Sequence, residues 1–312
     1  MTPALLPKIL VICGPTASGK SELALQLARE IDAEIVNADS MQVYRGLSVG
    51  TAKPSFEQLQ SIPHHLIDIA DPDQPFSAAD FITAADTAIR DISIRSKKVI
   101  VAGGTGLYIR TLLKGLIDTP SDTEIRKILK EEADKFGSGA MLERLREIDP
   151  ELAARLHPNN LVRIIRALEV YKLTGIPLSS YQHSHSFNER HYNALQIGML
   201  TERSQLYQRI DMRVERMLRE GLFDETRELL KMGFTPELKP LRSIGYKEAV
   251  AYLEGSISME KAVELIKRNT RHYAKRQLTW FNAEPGILWL EYPEKFVTIR
   301  TTVIDFFDGQ KE

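Results

Sequence analysis

The chain of 312 residues has a single cysteine, Cys13, which rules out a disulfide scaffold and a cysteine-held zinc site and favours a reducing compartment. It lacks a surplus of either charge: 41 Lys and Arg oppose 42 Asp and Glu, for a net charge of −1. That balance carries no global nucleic-acid signature, so any RNA partner has to be held by local basic patches. No apolar run reaches the length of a membrane span, and the short apolar segment at the N-terminus runs directly into a glycine-rich loop, unlike a cleavable signal. Internal repeats, low-complexity tracts and histidines at metal-ligand spacing are also missing. With 43% hydrophobic and 27% charged residues, the composition is that of a soluble, cytoplasmic protein with one large core and a second module.

The strongest pattern present is Gly14-Pro15-Thr16-Ala17-Ser18-Gly19-Lys20-Ser21, which satisfies G-x-x-x-x-G-K-[ST]. An apolar strand is predicted before it, at 9–13, and a helix after it, at 21–29. In that setting successive backbone N–H groups form an anion nest closed by the positive end of the helix. Lys20 adds a point charge, and the Ser21 hydroxyl is placed to ligate Mg2+ carried by the phosphates. The loop reports a di- or triphosphate but not a reaction. Cys13, inside the predicted strand, reads as core rather than nucleophile.

Strands are predicted at 9–13, 34–37 and 99–102, with a helix at 78–92, which is the alternation of a parallel α/β sheet with helices on both faces. From 121 to about 182 the pattern is helical throughout. Ser121 with Glu124 makes a capping box, Asp149-Pro150 places a cap before a first-turn proline, Asn159 can cap the next helix, and Gly175 with Pro177 ends it. A strand returns at 194–200, followed by helices at 204–220, 223–232, 246–253 and 259–281, a short strand at 287–290 and a last helix. The expected organisation is a discontinuous core, 1–117 and 194–312, interrupted by an all-helical insertion at 118–193.

Asp39, in Asp39-Ser40-Met41-Gln42, puts a carboxylate at the carboxyl end of the second predicted strand, where open α/β sheets bind ligands. It reads as general base or magnesium partner, or as a turn residue; Gln42, with donor and acceptor on one amide, can read a base edge. The next strand ends in Gly103-Gly104-Thr105-Gly106, where an NTP-hydrolysing site carries a magnesium-binding Asp. Glycines there let another backbone approach the phosphates, and the missing carboxylate argues against a hydrolytic switch. His64 and His65 point to opposite sides of an extended chain, so one packed and one exposed histidine is expected rather than a metal pair. Positions 267, 271 and 275 form one basic ridge and 268, 272 and 276 the next, a cationic face without interleaved acids that suits phosphate-backbone binding. Arg209, Arg213, Arg216 and Arg219 line an earlier helix, and Arg163 and Arg166 line the insertion, where they can equally pair with acids such as Glu169.

Together these pieces resemble the tRNA dimethylallyltransferase family, bacterial type: GPTASGKS at 14–21, DSMQVYRG at 39–46, GTAKP at 50–54, PHHLID at 63–68, GGTGLY at 103–108, RALEV at 166–170, RSIGYKE at 242–248 and AKRQLTW at 274–280. The resemblance spans nearly the whole chain and implies a P-loop NTPase-like fold with a tRNA-gripping helical insertion. It implies transfer of a dimethylallyl group from its diphosphate to the exocyclic amine of the adenine 3′-adjacent to the anticodon, with the base flipped into a channel. Asp39 then acts as base. Thr16, Thr105 and Arg213 attend the reacting groups, residues 14–21 bind the diphosphate, and Ser21 binds Mg2+. Implied contacts to the tRNA anticodon stem-loop come from Asp39, Ser40, Met41, Gln42, Thr105, Arg126, Val162, Arg163, Ile164, Ile165 and Arg166. Further contacts come from Arg242, Ser243, Ile244, Gly245, Tyr246 and Lys247, and from Lys275, Arg276, Gln277, Leu278, Thr279, Trp280, Phe281 and Asn282. Val162 departs from the family's frequent glutamine, so a contact there is apolar or through the backbone, and the zinc finger of some eukaryotic members is missing. A monomer is expected. The rival readings are a small-molecule or nucleotide kinase, which has no clear use for the insertion or the late basic helix, an RNA-binding NTP switch, against which the missing third-strand Asp argues, and an adenylate isopentenyltransferase, whose free nucleotide does not need the basic helix.

Overall fold

A computed structural model describes residues 6–185 and 191–309. The elements run β1 (Lys8–Cys13), α1 (Lys20–Ile31), β2 (Ala33–Asn37), α2 (Phe56–Ser61), β3 (His64–His65), α3 (Ala78–Ile94), β4 (Lys98–Gly103) and α4 (Gly106–Lys114). Four helices follow, α5 (Thr123–Ile148), α6 (Pro150–Ala154), α7 (Leu161–Thr174) and α8 (Leu178–His185). The chain then forms β5 (Asn193–Leu200), α9 (Arg203–Arg219), α10 (Leu222–Lys231), α11 (Tyr246–Leu253), α12 (Met259–Asn282), β6 (Ile287–Glu291) and α13 (Phe296–Asp308).

The six strands make one all-parallel sheet in the order β3-β2-β4-β1-β5-β6. β1 is central because its uninterrupted apolar run can be covered on both faces, as a parallel strand must be. Its alternate residues serve two cores. Ile9, Val11 and Cys13 pack with Phe81 and Ile89 of α3 and Tyr108 of α4, while Leu10 and Ile12 pack with Leu23 and Leu27 of α1 and Ile299 of α13. Phe81 stacks on Tyr108 with ring centroids 4.2 Å apart.

β3 was not legible as a strand. Its two residues pair with Ile35 and Val36, and the apolar run after it leaves the sheet, with Leu66 and Asp68 in the left-handed region at φ 64° and 54°. Neither histidine is fully packed or fully exposed: both are half-buried. His64 Nδ1 lies 2.8 Å from Ile62 O, and His65 Nε2 lies 2.7 Å from Glu34 Oε2.

The chain divides into two compact units, one of residues 1–113 with 191–312 and one of residues 114–190. The helical unit thus ends ahead of β5, whose first residue, Asn193, already pairs with Lys8. Its core joins Leu129, Leu142 and Leu145 of α5 to Ile164, Ile165 and Leu168 of α7. Asp149 caps α6 ahead of Pro150, and Gly175 ends α7 at φ 70°. The α5 cap is Asp122 rather than Ser121, its carboxylate accepting from Glu124 N–H at 2.8 Å and Ile125 N–H at 3.0 Å. Asn160, not Asn159, precedes α7.

Candidate active site

The phosphate loop joins β1 to α1 with Gly14, Ala17 and Gly19 at φ 145°, 64° and 92°. Gly19 is the N-cap of α1 and offers no side-chain acceptor, so the first-turn N–H groups remain for a ligand. The Thr16 N–H is already used: it donates to Gln277 Oε1 of α12 at 2.8 Å. Lys20 Nζ donates to Pro15 O at 2.5 Å. Burial, and then the neighbouring Arg213 charge, push the Lys20 ammonium down to about 8, while Asp39 acts in the opposite sense. Burial also lowers Arg213, whose Nη2 donates to Thr51 O at 3.1 Å.

These two cations open on a cavity of about 460 Å³ walled by the phosphate loop, the segment after β2, α9, residues 242–247 and α12. Of the residues expected at the site, the wall contains Thr16, Lys20, Ser21, Asp39, Ser40, Met41, Gln42, Arg213, Arg242, Ser243, Ile244, Gly245, Lys247, Arg276 and Gln277. It also contains Val214, Met217, Ile266 and Tyr273, which no motif pointed to. Val214, Met217 and Ile266 give an apolar wall beside the charged one. Tyr273, one helical turn before Gln277, has its phenol raised by burial and then by the Asp39 charge.

Asp39 is both turn residue and cavity residue. Its Oδ1 accepts from Met41 N–H at 2.8 Å, which fixes the carboxylate, and no other internal bond to it is formed among the described residues. Behind it, Ser40 N–H donates to Thr105 Oγ1 at 3.0 Å and Thr105 N–H donates to Ala38 O at 3.2 Å. Thr105 therefore stands behind the wall and braces Ser40. Gln42 Nε2 donates to Thr51 O at 3.1 Å and Ala52 O at 3.3 Å, so the amide's donor half is taken by backbone and its oxygen remains for a ligand.

The glycines after β4 have individual reasons. A Cβ at Gly103 would lie 2.2 Å from Ala38 O, so backbone does approach there. At Gly104 and Gly106 the neighbours are side chains of α12: a Cβ would lie 2.3 Å from Gln277 Nε2 and 2.2 Å from the Trp280 indole. Gln277 Nε2 donates to Gly104 O at 2.9 Å, and Arg110 stacks over Trp280 at 4.2 Å from the ring centre.

Several expected RNA contacts are elsewhere. Ile164 and Ile165 are core residues of the helical unit, and Tyr246 and Phe281 are buried in the sheet-bearing unit. Arg126 and Arg166 both pair with the fully buried Glu169, which for Arg166 is the alternative its spacing allowed. Burial alone would raise the Glu169 carboxyl; the hydrogen bonds from Arg166, Asp122 and Arg126 outweigh it and hold it low. Val162 and Arg163 remain exposed. The basic face of α12 is also smaller than its sequence suggests. Lys267 pairs with Glu215 at 2.7 Å and Arg271 pairs with Asp211, both acids of α9, which leaves Arg268, His272, Lys275 and Arg276 exposed.

Among the described residues no cluster of three His, Cys, Asp or Glu could cage a metal. Ser21 and Asp39, both in the cavity wall, supply hard oxygens of the kind that magnesium takes.

Residues 42–284 match the profile of the IPP transferase family. The chain belongs to that family. It is 63% identical to tRNA dimethylallyltransferase 1 of Pelobacter propionicus over 309 residues, 99% of this chain and 100% of the relative. Among solved structures it is similar to the tRNA Δ(2)-isopentenylpyrophosphate transferase of Staphylococcus epidermidis, with TM-score 0.71 and 41% identity over 98% of this chain and 100% of that one. It is also similar to a eukaryotic dimethylallyltransferase acting on tRNA, with TM-score 0.82 and 30% identity over 98% of this chain and 81% of that one. Membership gives the cavity a family context, and the cavity's own residues then bear on the reaction. No helix among the described residues is long and apolar enough to cross a membrane.

Proposed function

We propose that this protein transfers a dimethylallyl group from dimethylallyl diphosphate to the exocyclic amine of the adenine 3′-adjacent to the anticodon of tRNA, with release of diphosphate. The observation that carries this is the make-up of one cavity: two recessed cations at a phosphate loop, an apolar wall of Val214, Met217 and Ile266, and a single fixed carboxylate, Asp39.

The diphosphate fits the loop, with Lys20 and Arg213 opposite its charge. As the allylic carbon–oxygen bond breaks, its electron pair goes to the diphosphate, and these cations stabilise the growing charge. The amine nitrogen forms the new bond to carbon, and Asp39 takes the proton it sheds. Positioned general-base assistance of this kind contributes roughly a hundred- to ten-thousand-fold. Ser21 would hold magnesium, which would supply neutralising charge to the phosphates.

A base stacked in the anticodon loop cannot reach the cavity, and flipping it costs on the order of a few kcal/mol. The Gln42 oxygen and the Ser40 side chain offset part of that through the base edge. Lys275, Arg276, Arg242 and Lys247 meet the phosphate backbone, and Val162 and Arg163 offer a contact from the helical unit. On this proposal the enzyme acts as a cytoplasmic monomer.

Labelled dimethylallyl diphosphate with Mg2+ and either unmodified tRNA or AMP tests the proposal. Label on tRNA alone supports it; label on AMP alone means a free-nucleotide enzyme, and γ-phosphate transfer from ATP means a kinase.

A further inference from the structure

The GTAKP motif at 50–54 has no role in the chemistry above, yet its loop is gripped from outside the cavity. The Glu225 carboxylate of α10 accepts from three successive backbone N–H groups: Oε2 from Ser48 and Val49, each at 2.8 Å, and Oε1 from Gly50 at 3.1 Å. Tyr246 Oη, on a fully buried ring, donates to Oε1 at 2.5 Å. A carboxylate has about four acceptor sites, and all four are filled. Successive N–H groups curled round one anion make the kind of nest that binds phosphate, and here a side chain of the protein occupies it. Gly50 is required at this place, since a Cβ would sit 2.5 Å from the Tyr246 ring.

The carbonyls immediately after the nest orient two wall residues. Thr51 O accepts from both Arg213 and Gln42, and Ala52 O accepts from Gln42. Glu225 itself is not in the cavity wall.

We propose that Glu225 is a positioning residue: by holding the N–H groups of residues 48–50 it sets the Thr51 and Ala52 carbonyls that aim Arg213 at the diphosphate and Gln42 at the target base. The proposal rests on the roles given above to Arg213 and Gln42. Glu225→Gln keeps the shape but removes the charge and turns one oxygen into an NH2; with that NH2 toward Tyr246 Oη, which can accept, the Gly50 N–H is left facing a donor. Arg213 then loses its fixed carbonyl.

The test compares the full chain with its Glu225→Gln, Arg213→Ala and doubly substituted forms. Inorganic diphosphate with Mg2+ is titrated into each, single-turnover transfer to tRNA is timed, and hydrogen exchange is followed at amides 48–50. Glu225→Gln is expected to weaken diphosphate binding about fivefold or more and to slow transfer roughly tenfold, given that a 1 Å misplacement can cost about a hundredfold. In the Arg213→Ala background the same change is expected to alter diphosphate binding by less than about twofold, because residues acting through one another are not additive. Amides 48–50 should exchange faster while α10 stays protected. Equal effects in both backgrounds, or unchanged binding and rate with only a lower Tm, would overturn the proposal. Should Glu225→Gln not fold, Glu225→Asp, which keeps the charge and shortens the arm by one methylene, is read in the same cycle. Because the titration needs no transfer, a wild-type chain that binds diphosphate but does not modify tRNA sinks the functional proposal alone, and the coupling of Glu225 to Arg213 is still measured.

Discussion

Gln277 accepts the Thr16 N–H at 2.8 Å and donates to Gly104 O at 2.9 Å, so one amide of α12 ties the phosphate loop to the loop after β4. Both ends of that amide are used, and both of its partners belong to chain segments that meet the ligand cavity.

Gln277→Leu keeps the bulk and leaves the half-buried Thr16 N–H and the buried Gly104 C=O without this partner, at a cost of about 1–3 kcal/mol for the buried carbonyl and less for the N–H, which the cavity can solvate. The expected outcome is a lower Tm in a thermal melt together with a higher KM for dimethylallyl diphosphate. An unchanged KM would show that the loop holds its shape without the tie.

The lowered Lys20 sets a pH dependence for anion binding. In the free protein the ammonium loses its proton near pH 8 instead of near its ordinary 10.5, so the charge that attracts diphosphate is present below pH 8 and declines above it. Bound phosphate favours the charged form, so binding near pH 8 to 9 should draw in a proton. Calorimetry in buffers of different ionisation enthalpy measures that uptake, and Lys20→Met should abolish it. The stability term has the opposite sign: between pH 8 and 10.5 the unfolded chain holds this proton and the folded one does not, so this group makes the free protein more stable as pH rises through that window.

Asp39→Ala removes the proposed proton acceptor but leaves the cationic surface in place. Single-turnover transfer should fall by roughly a hundred- to ten-thousand-fold, with tRNA affinity changed little. Rapid-quench rates set beside a binding isotherm separate the two quantities, and an unchanged rate would remove Asp39 from the chemistry.

The ion pairs of α12 predict which of its basic residues would meet RNA under the proposed function. Lys275→Ala with Arg276→Ala should reduce the slope of log affinity against log salt by roughly 0.7–0.9 for each phosphate no longer neutralised. Lys267→Ala, whose partner is Glu215, should leave that slope nearly unchanged and act on stability instead. Similar slopes for both variants would contradict this division of the helix.

Much of the fold was legible because local rules govern it. Strand β1 declares itself by an uninterrupted apolar run, the phosphate loop by its glycines and lysine, α6 by Asp149-Pro150 and the end of α7 by Gly175. Asp39 was also legible, as a carboxylate where a strand ends beside that loop. β3 was not, because two histidines carry no alternation and become a strand only when Ile35 and Val36 supply the ladder.

By itself, the sequence determined the parallel sheet, the glycine-rich loop after β1 and the chemical identity of the groups that face the cavity. Tertiary structure alone decided which of those groups are committed elsewhere. Lys267 and Arg271 looked like part of an unopposed cationic face until α9 brought Glu215 and Asp211 against them, Arg126 looked available until α7 brought Glu169 against it, and packing chose for Arg166 the acid partner that its spacing had left open. Gln277 sits in a basic run yet turns inward, and Glu225 is one helix acid among many until its carboxylate meets three backbone N–H groups far away in sequence. The reason is physical: helix and strand propensity act over a few neighbouring residues, whereas a hydrogen bond or ion pair between distant elements exists only after packing has placed donor and acceptor within about 3 Å of each other.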